Sequence, residues 1–125
     1  MQSQSAGAPP KAICLVRLSA IGDTCHALAV VRNLQDNWPD TKLTWIIGRT
    51  EASLLGDVAG VEFIIFDKRQ GRAAYRDVLR LLEGHRFDIA LCMHASMRVN
   101  VLYPRLPATT KLGFDRRRAR DFQWL

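Results

Sequence analysis

The chain has 125 residues, 48% of them hydrophobic, and a formal net charge of +6. That length accommodates one domain of ordinary size, and the apolar share excludes a wholly disordered chain. Three cysteines are too few and oddly numbered for a disulfide framework, and no apolar run approaches the ~20 residues that span a bilayer.

Residues 1–10 hold Ser, Gln, Gly and Pro without a basic residue or a long apolar stretch, so they read as a disordered tail and not as a signal peptide. With the cysteine count, this points to a reducing, cytoplasmic location. The run 12–17 (AICLVR) reads as a first strand, followed by a loop at 18–22. Ala27, Val30, Val31 and Leu34 then recur at i, i+3, i+4 and i+7, one face of a helix. Trp38-Pro39 ends that helix, because the residue before proline is pushed out of helical geometry. Residues 42–47 (KLTWII) form a second strand closed by Gly48, and 51–58 a short helix ending near Gly60. A third strand is read at 61–66. Tyr75, Val78, Leu79 and Leu82 mark a helix closed by Gly84. A fourth strand is read at 87–92. A helix interrupted by Pro104 follows at 96–106, and a fifth strand at 110–114.

Strands alternating with helices imply parallel pairing with right-handed crossovers. The strands read as near-continuous apolar runs, as expected when both faces of the sheet are covered. The fold class is therefore α/β, a Rossmann-like doubly wound parallel sheet occupying 11–125. Phe122, Trp124 and Leu125 stand where a further helix would begin, so the chain is expected to be the front part of a longer protein.

In open parallel sheets, ligands bind beyond the carboxyl ends of the strands. That rule nominates the loops 18–24, 48–51, 67–72 and 93–98. In the first loop, Gly22 permits a tight turn or close backbone approach, and Asp23 stands at a helix start as an N-cap or a functional carboxylate. In the third loop, Lys68, Arg69 and Arg72 are either a solvated helix start or contacts for an anion, since cations there oppose the helix dipole. His94 and Arg98 follow the fourth strand and are either structural or ligand-facing. The segment 98–125 carries seven basic residues against two acids, whereas 1–97 carries eleven against ten. An anionic partner is therefore expected toward the C-terminus, where 115–121 is either a solvated face or a nucleic-acid contact. There is no G-x-G-x-x-G, no G-x-x-x-x-G-K-[ST] and no G-x-S-x-G. Cys25-His26 and Cys92…His94 lack a zinc spacing, and Cys14 and Cys92 read as small apolar strand residues.

The opening ICLVRLSAIGDTCHALAVVRNL resembles the start of the ADP-heptose:lipopolysaccharide heptosyltransferases, glycosyltransferase family nine, through Arg17, Ser19, Gly22-Asp23, His26 and Leu28. The later LGFDRRRARDFQWL is similar to that family's Gly-x-Asp…Ala-Arg segment, here Gly113, Asp115, Ala119 and Arg120. Ala29 stands where members often carry Pro, and His94-Ala95 where they usually carry Gln-Gly.

The resemblance implies the GT-B arrangement of two facing Rossmann-like domains. This chain would supply most of the N-terminal, acceptor-binding half. The donor, ADP-heptose, would be bound mainly by a C-terminal half, with no metal and no cofactor here. It implies inverting transfer with Asp23 as general base, a role compatible with capping. Arg17, Ser19, Gly22, His26, Arg69, Arg72, His94, Arg98, Asp115 and Arg120 would bind the acceptor, a lipid A–Kdo type sugar lipid. Arginine suits its carboxylates and phosphates, because the guanidinium offers a bidentate fork. The enzyme would lie in the cytoplasm, peripherally at the inner membrane, and the 125-residue chain alone would transfer nothing. The weaker alternative is a small basic nucleic-acid-binding module using 116–120 with Phe122 and Trp124.

Overall fold

The computed structural model describes residues 8–93 and 97–112. Its strands are β1 (Ala12–Val16), β2 (Lys42–Gly48), β3 (Val61–Phe66), β4 (Phe87–Cys92) and β5 (Ala108–Leu112). Its helices are α1 (Ile21–Asn37), α2 (Arg49–Leu55), α3 (Arg72–Leu81) and α4 (Met97–Leu102), with short 3-10 turns at Lys68–Gln70 and Tyr103–Arg105. All strand pairs are parallel, in the order β3-β2-β1-β4-β5. The doubly wound class expected from the sequence is the one observed.

Successive strand residues point to opposite faces, so one sheet feeds two cores. Ile13, Leu15, Leu43, Trp45 and Ile47 pack under Ala27 and Val31 of α1, with Ala52 and Leu55 of α2 at the margin. Cys14, Val16, Ile46, Ile64 and Phe66 pack under Ala74 and Val78 of α3 and Val99 and Leu102 of α4. Two of the three inner strands explain the continuous apolar runs: β1 and β2 are buried on both faces, whereas edge strand β3 exposes Glu62 and Ile65. Trp45 is fully buried, makes an edge-to-face contact with Phe63 at 5.6 Å, and donates its indole N–H to the Arg17 carbonyl at 3.1 Å. A buried aromatic of this kind is worth about 3–5 kcal/mol against truncation to alanine.

Several boundaries depart from the sequence reading. α2 begins at Arg49 and ends at Leu55, because Gly56 takes φ 68° and turns the chain before Val58. α4 is short and gives way to the 3-10 turn at Tyr103, with Pro104 within that turn. β5 starts at Ala108, where the Phe87 N–H donates to the Pro107 carbonyl and Phe87 pairs with Ala108. Its Thr109, Thr110 and Lys111 are exposed, so this edge strand carries little apolar signal. The remainder of the expected strand, 113–114, lies outside the described residues, as do residues 1–7 of the expected tail 1–10 and Ser96.

Candidate functional site

The carboxyl ends of the central strands are tied together by main-chain bonds. The Arg17 N–H donates to the Ile46 carbonyl at 3.1 Å, the Gly48 N–H to the Leu18 carbonyl at 2.9 Å, and the Met93 N–H to the Val16 carbonyl at 3.0 Å. The strand order reverses between β1 and β4, the position at which doubly wound sheets open a crevice.

α1 starts at this crevice. Its N-cap is Ala20, which offers no side-chain cap; the Thr24 N–H donates to the Ala20 carbonyl at 2.8 Å, and the Thr24 hydroxyl to the Ile21 carbonyl at 2.7 Å. Asp23 is therefore not the N-cap. It lies inside the first turn, where the helix dipole favours a carboxylate, and its side chain is 56% exposed. Asp23 Oδ2 sits 2.5 Å from Arg17 Nη2. Arg17 Nη1 donates to the Met93 carbonyl, and the buried Arg17 Nε has no partner among the described residues. Arg17 thus turns its guanidinium toward Asp23 and the loop after β4. Gly22 lies within α1 with open space around its Cα, so neither a turn nor a close approach requires glycine there.

Close approach is required at Gly48 instead. A Cβ at that position would run into the Leu18 carbonyl oxygen and the Glu51 carboxylate. The close approach of Gly48 to Leu18 borders a cavity of about 500 Å³ beyond the ends of β1, β2 and β3. Four cations line it (Arg49, Lys68, Arg69, Arg98) against two acids (Glu51, Asp67), alongside Ser19 and the apolar Leu54 and Phe66.

Asp67 organises one side of this cavity. It caps the turn Lys68–Gln70 by accepting from the Arg69 N–H at 3.1 Å, and it also accepts from Arg69 Nε and Arg49 Nη1, each at 3.3 Å. These bonds, led by that of the Arg69 side chain, hold its carboxyl below the usual carboxylate range. Lys68 and Arg69 therefore ride on a capped 3-10 turn, and only Arg72 opens α3, after Gly71 at φ 57°.

Of the expected site residues, the cavity gathers Ser19, Arg69 and Arg98. Arg17, Gly22 and Asp23 stand beside it at the β1–α1 junction, His26 is exposed further along α1, and Arg72 is exposed at the start of α3. His94, Asp115 and Arg120 lie outside the described residues, as do the residues of the nucleic-acid alternative, 116–120, Phe122 and Trp124. Sequence reasoning missed Gly48, Arg49 and Asp67. The strand-end rule had nominated their loops, but nothing local separated Arg49 from an ordinary helix start.

No family model matches the chain. Its fold matches one part of solved GT-B glycosyltransferases. It superposes on the E. coli heptosyltransferase WaaC with ADP at a TM-score of 0.68 and 19% identity, covering 83% of this chain and 36% of that one. The glycosyl transferase of family 9 from Veillonella parvula DSM 2008 superposes at 0.73 and 19%, covering 83% of this chain and 32% of that one. In sequence, the chain is 40% identical over 116 residues to the lipopolysaccharide core heptosyltransferase OpsX of Haemophilus influenzae, covering 93% of this chain and 33% of that protein. The chain is similar to the lipopolysaccharide heptosyltransferases of glycosyltransferase family nine, and it spans about a third of the length of these relatives.

Proposed function

We propose that this chain is the acceptor-binding part of an inverting heptosyltransferase, with Asp23 as the general base. The observation that carries this reading is the half-exposed Asp23 carboxylate at the carboxyl end of central strand β1, one loop away from a cation-lined cavity. In a single displacement, an acceptor hydroxyl attacks the anomeric carbon of heptose and ADP departs. The hydroxyl proton passes to a carboxylate on the attacking side, and the configuration inverts. The Arg17 guanidinium, 2.5 Å from Asp23 Oδ2, holds this carboxylate in place at the β1–α1 junction.

Arg69 and Arg98 in the cavity suit the carboxylates and phosphates of a lipid A–Kdo type sugar lipid. Arg17, Ser19, Gly22, His26, Arg72, His94, Asp115 and Arg120 complete the set that the family resemblance assigns to acceptor binding. ADP-heptose is the proposed donor, a reading supported by the solved relatives bound to ADP and to ADP-2-deoxy-2-fluoro heptose. The chain spans about a third of such proteins, so most donor contacts belong to parts beyond it and the 125-residue chain alone transfers no heptose. No helix among the described residues is long and apolar enough to cross a membrane, and the proposed location is peripheral, at the cytoplasmic face of the inner membrane.

The test is turnover of the full-length protein carrying this sequence. Asp23→Ala is expected to lower kcat at least about a hundredfold, the usual range for a lost general base, while acceptor binding persists. Near-normal turnover would rule out the base assignment. ADP release by the 125-residue chain given donor and acceptor would overturn its inactivity.

A further inference from the structure

We infer that Arg49 and Arg69 form a paired anion clamp in the cavity beyond β2 and β3, and that Asp67 is the positioning residue that holds the two guanidiniums in place. The ligand class is a phosphate or carboxylate group on a sugar. The inference deepens the acceptor-cavity reading and rests on it for the identity of that ligand.

The two arginines come from different crossovers: Arg49 opens α2, and Arg69 sits in the turn before α3. Left to themselves, two guanidiniums in one cavity repel each other and sample many rotamers. Asp67 removes both difficulties. Its Oδ2 accepts from Arg49 Nη1, and its Oδ1 accepts from Arg69 Nε and the Arg69 N–H. The carboxylate is 13% exposed, whereas the Arg49 and Arg69 side chains are 65% and 71% exposed. Asp67 is therefore covered while both guanidiniums remain open to solvent. A guanidinium has five N–H donors in a rigid fork, so one bond to Asp67 leaves donors on each for a second acceptor. Charge-assisted bonds from two forks fixed in advance lose less ordering entropy when an anion arrives. Lys68 and Arg98 line the same cavity and add attraction without needing a fixed orientation. The depressed Asp67 pKa agrees with this arrangement, because both arginines favour its charged form.

The discriminating variant is Asp67→Asn. It keeps a side-chain oxygen for the Arg69 N–H and so keeps the turn, but it removes one negative charge from a cavity that binds anions. If the cavity attracted anions by net charge alone, this substitution would tighten binding. If Asp67 positions the arginines, it weakens binding.

The 125-residue chain is titrated by NMR with two separate probes, inorganic phosphate and glucuronate, and the amide spectrum reports on folding. For the tighter probe, Asp67→Asn and Arg49→Met are each expected to weaken binding roughly three- to tenfold, as for the loss or misaiming of one charge-assisted contact. Their effects are expected to be non-additive in the double variant. Arg49→Met leaves the capped turn untouched and keeps the test informative should Asp67→Asn perturb the fold. The tighter probe identifies the anion as phosphate or carboxylate. Unchanged or tighter binding in Asp67→Asn, unchanged binding in Arg49→Met, or no saturable binding of either probe would overturn the clamp. None of these readouts involves Asp23, so a clamp that behaves as expected beside a full-length Asp23→Ala protein with normal turnover would sink only the general-base assignment.

Discussion

Arg17 and Asp23 are joined at 2.5 Å across the β1–α1 junction, and the same guanidinium reaches the Met93 carbonyl at the end of β4. One side chain thus links the candidate base to both strands that flank the point where the strand order reverses. Asp23 is half exposed, but the Arg17 side chain is only 18% exposed. The two partners are therefore unequal in their structural cost. Arg17→Met gives up a Coulomb partner and a carbonyl acceptor at a partly buried site, and a loss of about 1–2 kcal/mol is expected. Asp23→Asn retains a polar group at an exposed site, and a loss of about 1 kcal/mol or less is expected. Urea denaturation of both variants checks this order, and a larger loss in Asp23→Asn would contradict it.

The two glycines of the candidate site should respond in opposite directions to alanine. At Gly48 the added methyl meets the Leu18 backbone carbonyl, which is itself hydrogen-bonded to the Gly48 N–H and cannot withdraw cheaply. Gly48→Ala is expected to cost about 1–3 kcal/mol through overpacking. At Gly22 nothing lies within 4 Å of the added methyl, and the backbone is helical. Gly22→Ala is expected to stabilise by about 0.4–1 kcal/mol, because alanine restricts the unfolded chain and favours the helix. Chemical denaturation midpoints of the two variants decide the matter; a stabilised Gly48→Ala or a strongly destabilised Gly22→Ala would refute it.

This contrast also marks how far the sequence could be read. The fold was legible because Ile13, Leu15, Trp45 and Ile47 alternate with Cys14, Val16 and Ile46 to feed two cores, which leaves an apolar run of strand length. Asp23 was legible through its place after the first strand and through the Gly-Asp pair, but its local geometry was not. No pattern in RLSAIGDT distinguishes a helix starting at Ile21 from one starting at Asp23, and a glycine before an acid looks like a turn followed by a cap. Gly48 and the Asp67 clamp were not legible because their roles arise from residues distant in sequence. Gly48 is constrained by Leu18, and Asp67 meets Arg49, eighteen residues away.

Asp67 should contribute to the acid limb of the stability profile. Its folded pKa is lowered, chiefly by the Arg69 side-chain bond and further by Arg49, so the unfolded chain binds the proton more readily. The resulting stabilisation is fully present above the unfolded carboxylate pKa of about 3.9 and is lost as pH falls through the lower folded value. Between about pH 5 and pH 2, the denaturation midpoint of Asp67→Asn should therefore fall less steeply than that of the wild type. Parallel acid limbs in the two proteins would show that Asp67 carries no linked proton.

Cys14 should make the opposite contribution at alkaline pH. Its side chain is fully buried in β1, and burial, reinforced by the charge of Glu62, pushes its thiol up to about 12. The folded state therefore holds the thiol proton more tightly than the unfolded state, where the pKa is about 8.5. The associated stability is fully present below about pH 8.5 and is lost as pH rises toward the folded value, so the denaturation midpoint should decline above about pH 9. Cys14→Ala should flatten that decline while lowering stability at neutral pH by roughly 1 kcal/mol or more through the small cavity it leaves. Thiol reactivity gives an independent check. Cys25 is exposed whereas Cys14 and Cys92 are buried, so at pH 8 a disulfide reagent should modify Cys25 quickly in the native chain and all three cysteines only after unfolding. Fast native labelling of Cys14 would mean that its strand opens far more readily than its place in the centre of the sheet allows.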